Sequence, residues 1–122
     1  MSGLPSTVHA LLTGGDVTEP TRAAGAMLIR ADSPLAHLIA AAAVAHSAIS
    51  FFWAAILTYA LPRRHTVAWA LGAAVLIALL DLRVIAPLMF PEVARLPFWP
   101  QVADHLMWGA SLGAALWWRR RR

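Results

Sequence analysis

Long apolar stretches dominate the chain, and short polar or proline-containing connections separate them. The first runs from 34 to 61, the second from 66 to 90 and the third from 101 to 118, with a proline-rich loop expected over 91–100. A helix that crosses a bilayer needs about 20 mainly apolar residues; the first two stretches exceed that length and the third approaches it. The pattern predicts an all-α fold, an integral membrane bundle of three transmembrane helices.

The segment before the first long stretch, residues 1–33, mixes polar and apolar positions. Leu4–Thr13 is expected to form a short amphipathic helix that ends at Gly14-Gly15, and 18–30 is expected to form another. Neither is long enough to cross the hydrocarbon core. We therefore expect one or two short amphipathic helices that lie at the interface or pack on the bundle.

Composition supports a membrane location. Hydrophobic residues make up 60% of the chain and charged residues 13%, whereas soluble domains carry about 45–50% and about 25%. A small soluble core cannot bury so many apolar side chains, but a bilayer can accommodate them. The chain has no cysteine, which excludes disulfides, thiolate metal sites and cysteine nucleophiles.

The arginines indicate an orientation. In a three-span bundle, Arg63, Arg64 and the run 119–122 fall on one side. All six acidic residues fall on the other, with three further arginines: Asp16, Glu19, Asp32, Asp81, Glu92, Asp104, Arg22, Arg30 and Arg95. The side without carboxylates is expected to be cytoplasmic, which predicts a bacterial inner-membrane protein with its N-terminus outside. Beside a lipid bilayer, topology and anionic lipid account for the terminal arginines without a nucleic-acid partner.

The second long stretch contains two charged residues and a proline, in LLDLRVIAPL (79–88). Residues two apart on a helix point to different faces, so Asp81 and Arg83 are not expected to pair with each other. Pro87 cannot donate a hydrogen bond to the carbonyl of Arg83, and a kink is predicted there. The long side chain of Arg83 can reach the interface, whereas the carboxylate of Asp81 requires a partner or a proton.

Polar residues on the same outer side are the candidates to pair with Asp81. We define the predicted polar cap as His37, Asp81, Arg83, Asp104 and His105. One interpretation is a hydrogen-bonded network that fixes the register of the helices, and the other is a site that handles protons or ions. No local ligand spacing supports a metal centre, and none is predicted.

His46 lies near the middle of the first predicted span, with Ser50 and Trp53 on roughly the same face. An ionisable residue at this depth is a candidate functional residue. Three interpretations of His46 are open. It can form a hydrogen bond to a neighbouring helix, it can belong to a proton relay, or its neutral imidazole can ligate haem or bacteriochlorophyll. With Ala42 before it, His46 also resembles the pigment-ligating histidine of bacterial light-harvesting polypeptides, although those chains have one span.

The third predicted span carries a small-residue motif. Gly109 and Gly113 form a GxxxG sequence, which lets two helix backbones approach closely in a membrane. The partner can be another helix of the same chain, another membrane protein subunit, or a second copy. The motif leaves these alternatives open.

Three motifs follow one another along the chain: His46, Ser50 and Phe52-Trp53; then Val84-Ile85-Ala86-Pro87; then His105, Gly109 and Gly113. Their order is similar to that in small uncharacterised bacterial inner-membrane proteins of the YagU-like kind. The resemblance covers the chain from His37 to its end. It implies a compact helical membrane bundle without assigned chemistry and without catalytic residues.

Enzyme signatures do not accompany these features, since the serines lack a GxSxG context and the chain has no glycine-rich phosphate loop. We therefore expect a non-enzymatic membrane protein, either a small accessory or structural subunit of a larger assembly or a self-associating bundle. Two alternatives remain open. One is a tetrapyrrole-binding subunit that uses His46, and the other is a small proton- or ion-handling transporter that uses Asp81 with His37 and His105.

Overall fold

The computed structural model describes residues 3–122. Those residues form helices and connections without a strand, so the all-α prediction is confirmed. The helices are α1 (Leu4–Thr13), α2 (Glu19–Gly25), α3 (Leu35–Ala60), α4 (Thr66–Met89), α5 (Pro91–Ala94) and α6 (Phe98–Arg121).

Two short helices lie where the sequence predicts them, but the second is shorter than expected. Helix α1 has the predicted bounds, and Gly14 follows it with a φ of 71°, a left-handed conformation that glycine adopts readily. The backbone and hydroxyl of Thr18 donate hydrogen bonds to Asp16 at 2.8 and 2.7 Å, which lowers the pKa of that carboxyl and orders the turn before α2. Helix α2 ends at Gly25, and the backbone continues in hydrogen-bonded turns instead of a helix to residue 30.

The predicted loop over 91–100 is partly helical. Helix α5 begins at Pro91, and α6 begins at Phe98 with Pro100 in its first turn. Proline is tolerated in the first turn of a helix because the N–H that it lacks has no helical partner there. The prolines of this connection therefore start helices and do not prevent them.

Helices α3 and α4 are long and apolar enough to cross a membrane. Helix α6 is of similar length but less apolar, since Gln101, Asp104 and His105 lie within it and arginines end it. Length and composition therefore distinguish two of the three long helices from the third.

Both apolar helices leave most of their surface uncovered. Only 11% of the most apolar stretch of α3 is buried, and 28% of that of α4. The large exposed hydrophobic side chains on these helices include Ile39, Val44, Phe51, Phe52, Ile56, Trp69, Val75, Leu76, Leu79, Leu80, Val84, Leu88 and Met89. A helix that is apolar on all sides belongs in a core or a membrane, and the chain by itself does not provide a core around these two.

Helices α4 and α6 make the most extensive helix–helix contact, and they do so through small residues. A β-carbon on Gly109 would lie 2.5 Å from the β-carbon of Ala74, and one on Gly113 would lie 2.8 Å from that of Ala70. Both alanines are completely buried. The GxxxG motif therefore packs against another helix of the same chain, at the close separation that small residues permit.

Helix α3 reaches this pair through larger side chains. Its C-terminal half contributes Leu57 to a buried cluster that also includes Leu61, Ala70, Ile77 and Leu116, with Trp53, Trp108 and Leu112 packed around it. Helix α3 is thus held to α4 and α6 by side chains and not by close backbone approach.

The short helices α1 and α2 cover the end of the bundle that lies away from the α3–α4 turn. Helix α2 packs on α3, and α1 packs on α6. Gly25 lies so close to Leu38 that a side chain at position 25 would overlap the backbone carbonyl of Leu38. The N-terminal segment is therefore packed on the long helices at two separate places.

Candidate functional site

A π-helical turn interrupts α4 where the sequence predicts a kink. The turn covers Asp81–Ile85, and the N–H of Ala86 donates to the carbonyl of Asp81, five residues earlier. Pro87 has no N–H to donate to Arg83, so the ladder of hydrogen bonds is rearranged at this point. Such turns are frequent at functional sites, and this one carries the two charged residues of the span.

Asp81 contacts His105 across the α4–α6 contact. Oδ2 of Asp81 lies 3.3 Å from Nε2 of His105, and Nδ1 of His105 lies 2.8 Å from the carbonyl oxygen of Gln101. About a quarter of each side chain is exposed. A carbonyl only accepts, so Nδ1 donates to Gln101, and Nε2 then faces the carboxylate. A hydrogen bond between Nε2 and Oδ2 requires one proton between them, carried by either the imidazole or the carboxyl.

The neighbouring Asp104 connects α6 to α1. The backbone N–H of Ser6 donates to Oδ1 of Asp104 at 3.2 Å, and its hydroxyl donates to Oδ2. Ser6 lies in the first turn of α1, where backbone N–H groups have no partner within the helix. Gly3 supplies no side-chain cap, so the carboxylate of Asp104 performs that role from another helix.

His46 belongs to the same polar region. It interacts electrostatically with Asp104 and His105, which lie on α6. The sequence places His46 apart from the predicted polar cap, near the bilayer midpoint. The structure instead brings His46 of α3 within electrostatic range of Asp104 and His105 in α6.

Two members of the predicted polar cap lie elsewhere. The guanidinium of Arg83 lies 4.4 Å from the ring centroid of Phe98, a cation–π contact, and does not pair with Asp81. His37 is exposed near the start of α3 and is not brought into contact with the Asp81–His105 pair. Glu92, on α5, pairs with Arg95 at 3.3 Å on the surface.

The arrangement can share protons and hydrogen bonds between helices. Over residues 3–122, no three His, Asp or Glu side chains converge closely enough to hold a metal ion. We name Asp81, His105, Asp104, Ser6 and His46 the polar junction, since they come from α1, α3, α4 and α6. Ser6 was not among the predicted residues, because the residue that it contacts is 98 positions away in the sequence.

Arg120 forms a second polar connection at the other end of the bundle. Its NH1 group donates to the carbonyl of Pro62 at 3.0 Å and to the hydroxyl of Thr66 at 3.2 Å, and its NH2 group donates to the carbonyls of Thr58 and Leu61 at 3.0 and 3.1 Å. The last carbonyls of a helix lack partners within it. One guanidinium therefore caps α3 and ties the end of α6 to the α3–α4 turn.

Two other terminal arginines stack on tryptophans of their own helix. The guanidinium of Arg121 lies 3.8 Å from the ring centroid of Trp117, and that of Arg122 lies 5.2 Å from that of Trp118. Aromatic and cationic side chains together are typical of helix ends at a membrane surface.

Comparison with known proteins gives no family for this chain: no protein-family model, no curated protein and no solved structure matches it.

Proposed function

We propose that this chain is an integral membrane protein of three spans with a non-enzymatic role, as a small accessory or structural subunit of a membrane assembly or as a self-associating bundle. The observation that carries the proposal is the exposed apolar surface of α3 and α4. Exposed apolar area of this extent indicates a lipid or protein environment. Lipid, other membrane subunits and a second copy of the chain are the partners that fit it.

Helix α6 is proposed as the third span on the position of its tryptophans. Trp99 is 75% exposed and Trp118 is 58% exposed. Trp117, the neighbour of Trp118 in the sequence, follows Trp99 by 18 positions. At about 1.5 Å per residue this separation is about 27 Å, close to the roughly 30 Å thickness of the hydrocarbon core. Tryptophan at both boundaries is typical of a transmembrane helix.

The proposed orientation places the α3–α4 turn and the end of α6 in the cytoplasm of a bacterial cell. The hydrogen bonds of Arg120 support the common placement of these two segments. Arginine is retained on the cytoplasmic side of bacterial inner membranes. The N-terminal helices, the Asp81–His105 pair and α5 then lie toward the outside.

Single introduced cysteines test this proposal, since the natural chain contains none. Ala31→Cys, Arg64→Cys, Ala94→Cys and Arg122→Cys place one thiol in each connection or terminus of a three-span protein. An impermeant maleimide applied to intact cells is expected to label positions 31 and 94 and to spare 64 and 122. Labelling of positions 94 and 122 from the same side would show that α6 does not cross the membrane. Release of the chain from membranes by alkaline carbonate would overturn the membrane location.

The Asp81–His105 pair favours a second candidate, a small proton-handling protein. A proton held at a 3.3 Å contact inside an apolar helix pair has the chemistry of a relay. Proton flux into liposomes that contain the full chain tests it. Loss of flux in Asp81→Asn, with the helical content retained, would support the relay, and equal flux in both forms would exclude Asp81 from it.

The tetrapyrrole alternative is tested by the absorption spectrum of protein extracted gently from its membrane. A structural role for His46 within the polar junction would give no Soret or bacteriochlorophyll band. A band that is present in the natural chain and absent in His46→Ala would make His46 a ligand instead.

A further inference from the structure

The α3–α4 turn and the end of α6 enclose an open cleft of about 770 Å³. It is lined by residues 58–63 together with Arg119 and Arg120, so that three arginines border one space. No side-chain carboxylate lines it, because all six acidic residues lie in other parts of the chain. The cleft is therefore complementary to an anion.

The arginines of the cleft have different roles. Both terminal nitrogens of Arg120 are occupied by oxygens of the α3–α4 turn and of α3. Arg63 and Arg119 are exposed, and in the described part of the chain neither side chain makes a hydrogen bond or an ion pair. Arg120 thus holds the walls together, and the donors of Arg63 and Arg119 remain available to a ligand.

An apolar strip leads away from the cleft along α3. Tyr59 lines the cleft and is 91% exposed. Ile56 and Phe52 precede it at helical spacing on the same face, and they are 40% and 59% exposed. The ligand that fits this surface is negatively charged at one end and apolar along the rest.

We propose that the cleft binds the phosphate headgroup of an anionic phospholipid, with Arg63 and Arg119 as donors and with an acyl chain along Tyr59, Ile56 and Phe52. Guanidinium groups bind phosphate through paired hydrogen bonds. Free phosphate has no apolar part to place on the apolar strip, whereas a lipid has an acyl chain. The strip therefore favours a lipid over free phosphate. The inference rests on the proposed membrane location and adds a specific lipid site to it.

Native mass spectrometry of the full chain in detergent tests the site, with phosphatidylglycerol, phosphatidylcholine and inorganic phosphate as separate probes. The variant is Arg63→Gln with Arg119→Gln. The matched control is Arg121→Gln with Arg122→Gln, which removes the same charge from the same end of the bundle but outside the cleft. Melting of each variant confirms that it is folded.

We expect phosphatidylglycerol to bind more tightly than phosphatidylcholine, and inorganic phosphate not to bind measurably. The cleft variant is expected to lose about tenfold in affinity for phosphatidylglycerol, and the control less than about twofold. Equal losses in the two variants would show a diffuse charge effect and overturn the site. Phosphate that binds as tightly as the lipid would overturn the lipid assignment. Failure of the membrane proposal would be seen in a separate experiment, as release of the chain from membranes by alkaline carbonate. That result does not depend on which lipid the chain binds in the mass-spectrometry assay.

Discussion

Oδ2 of Asp81 and Nε2 of His105 lie 3.3 Å apart, on two helices whose backbones approach as closely as glycine and alanine allow. Because Nδ1 of His105 faces the carbonyl of Gln101 at 2.8 Å, both ring nitrogens face acceptors when Asp81 is ionised. The position of a single proton therefore decides whether this contact is an ion pair or a neutral hydrogen bond. The packing of Gly109 and Gly113 against Ala74 and Ala70 is apolar and does not depend on protons.

Asp81→Asn is expected to preserve the helix pair, and Asp81→Leu is expected to weaken it. The asparagine amide can donate to Nε2 of a neutral His105, so unfolding in a denaturing detergent should change by less than about 1 kcal/mol. Leucine leaves the partly buried ring nitrogen unpaired, at a cost of about 1–3 kcal/mol. Equal losses in both variants would show that the carboxylate charge, and not the hydrogen bond, stabilises the contact.

Gly109→Ala is expected to push α4 and α6 apart. Its β-carbon would lie 2.5 Å from the β-carbon of Ala74 and 3.0 Å from the carbonyl oxygen of Ala70, and overpacking of this kind costs about 1–3 kcal/mol. Gly72→Ala is the control, since nothing lies within 4 Å of a β-carbon there. It should be neutral or stabilising by up to about 1 kcal/mol, because alanine favours the helix. Similar unfolding curves for the two variants would contradict the close α4–α6 packing.

Ser6→Ala is expected to loosen α1 from α6. The substitution removes the hydroxyl that donates to Asp104, and a hydrogen bond to a charged group contributes about 1.5–3 kcal/mol. Amide exchange over residues 4–13 should therefore accelerate about tenfold or more. Thr7→Ala is the control, because the hydroxyl of Thr7 donates only to the carbonyl of Gly3 within the same segment. Unchanged exchange in the serine variant would show that the hydroxyl of Ser6 does not help to hold α1.

Arg120→Gln is expected to destabilise the bundle more than Arg119→Gln, although both remove one charge from adjacent positions. The first leaves oxygens at the end of α3 without donors, with an expected loss of about 1–3 kcal/mol. The second changes an exposed side chain, for which a change within about 0.5 kcal/mol is typical. Arg120→Lys should recover part of the loss. Equal thermal stability of the two glutamine variants would exclude the capping role.

Apolar length and proline positions predict much of this fold, because they act over a few residues. The bounds of α1, the tight turn after α3 and the break at Pro87 follow from local backbone chemistry. The helical character of 91–100 was missed because proline at the start of a helix and proline in a loop have the same local signal.

The contacts of the polar junction depend on the packing of helices that are distant in sequence. The sequence places Asp81 and His105 on the same side of the bundle, and helical spacing separates Arg83 from Asp81. It gives no reason to choose Phe98 as the partner of Arg83. The contact between Ser6 and Asp104 has no local signal at all. Only the relative rotation of the helices, set by side-chain packing, selects these pairs.

The pattern of helix contacts also has a consequence for the order in which the chain assembles during synthesis. Helix α2 can pack on α3 as soon as both have left the ribosome, because they are adjacent in sequence. The small-residue face of α4 cannot pack until α6 has been synthesised. The first turn of α1 cannot dock until Asp104 has been synthesised, because Asp104 lies 98 positions after its partner Ser6. In a nascent chain that ends after α4, we expect protease to cleave α1 while sparing α2. The segment that is synthesised first would be the last to dock.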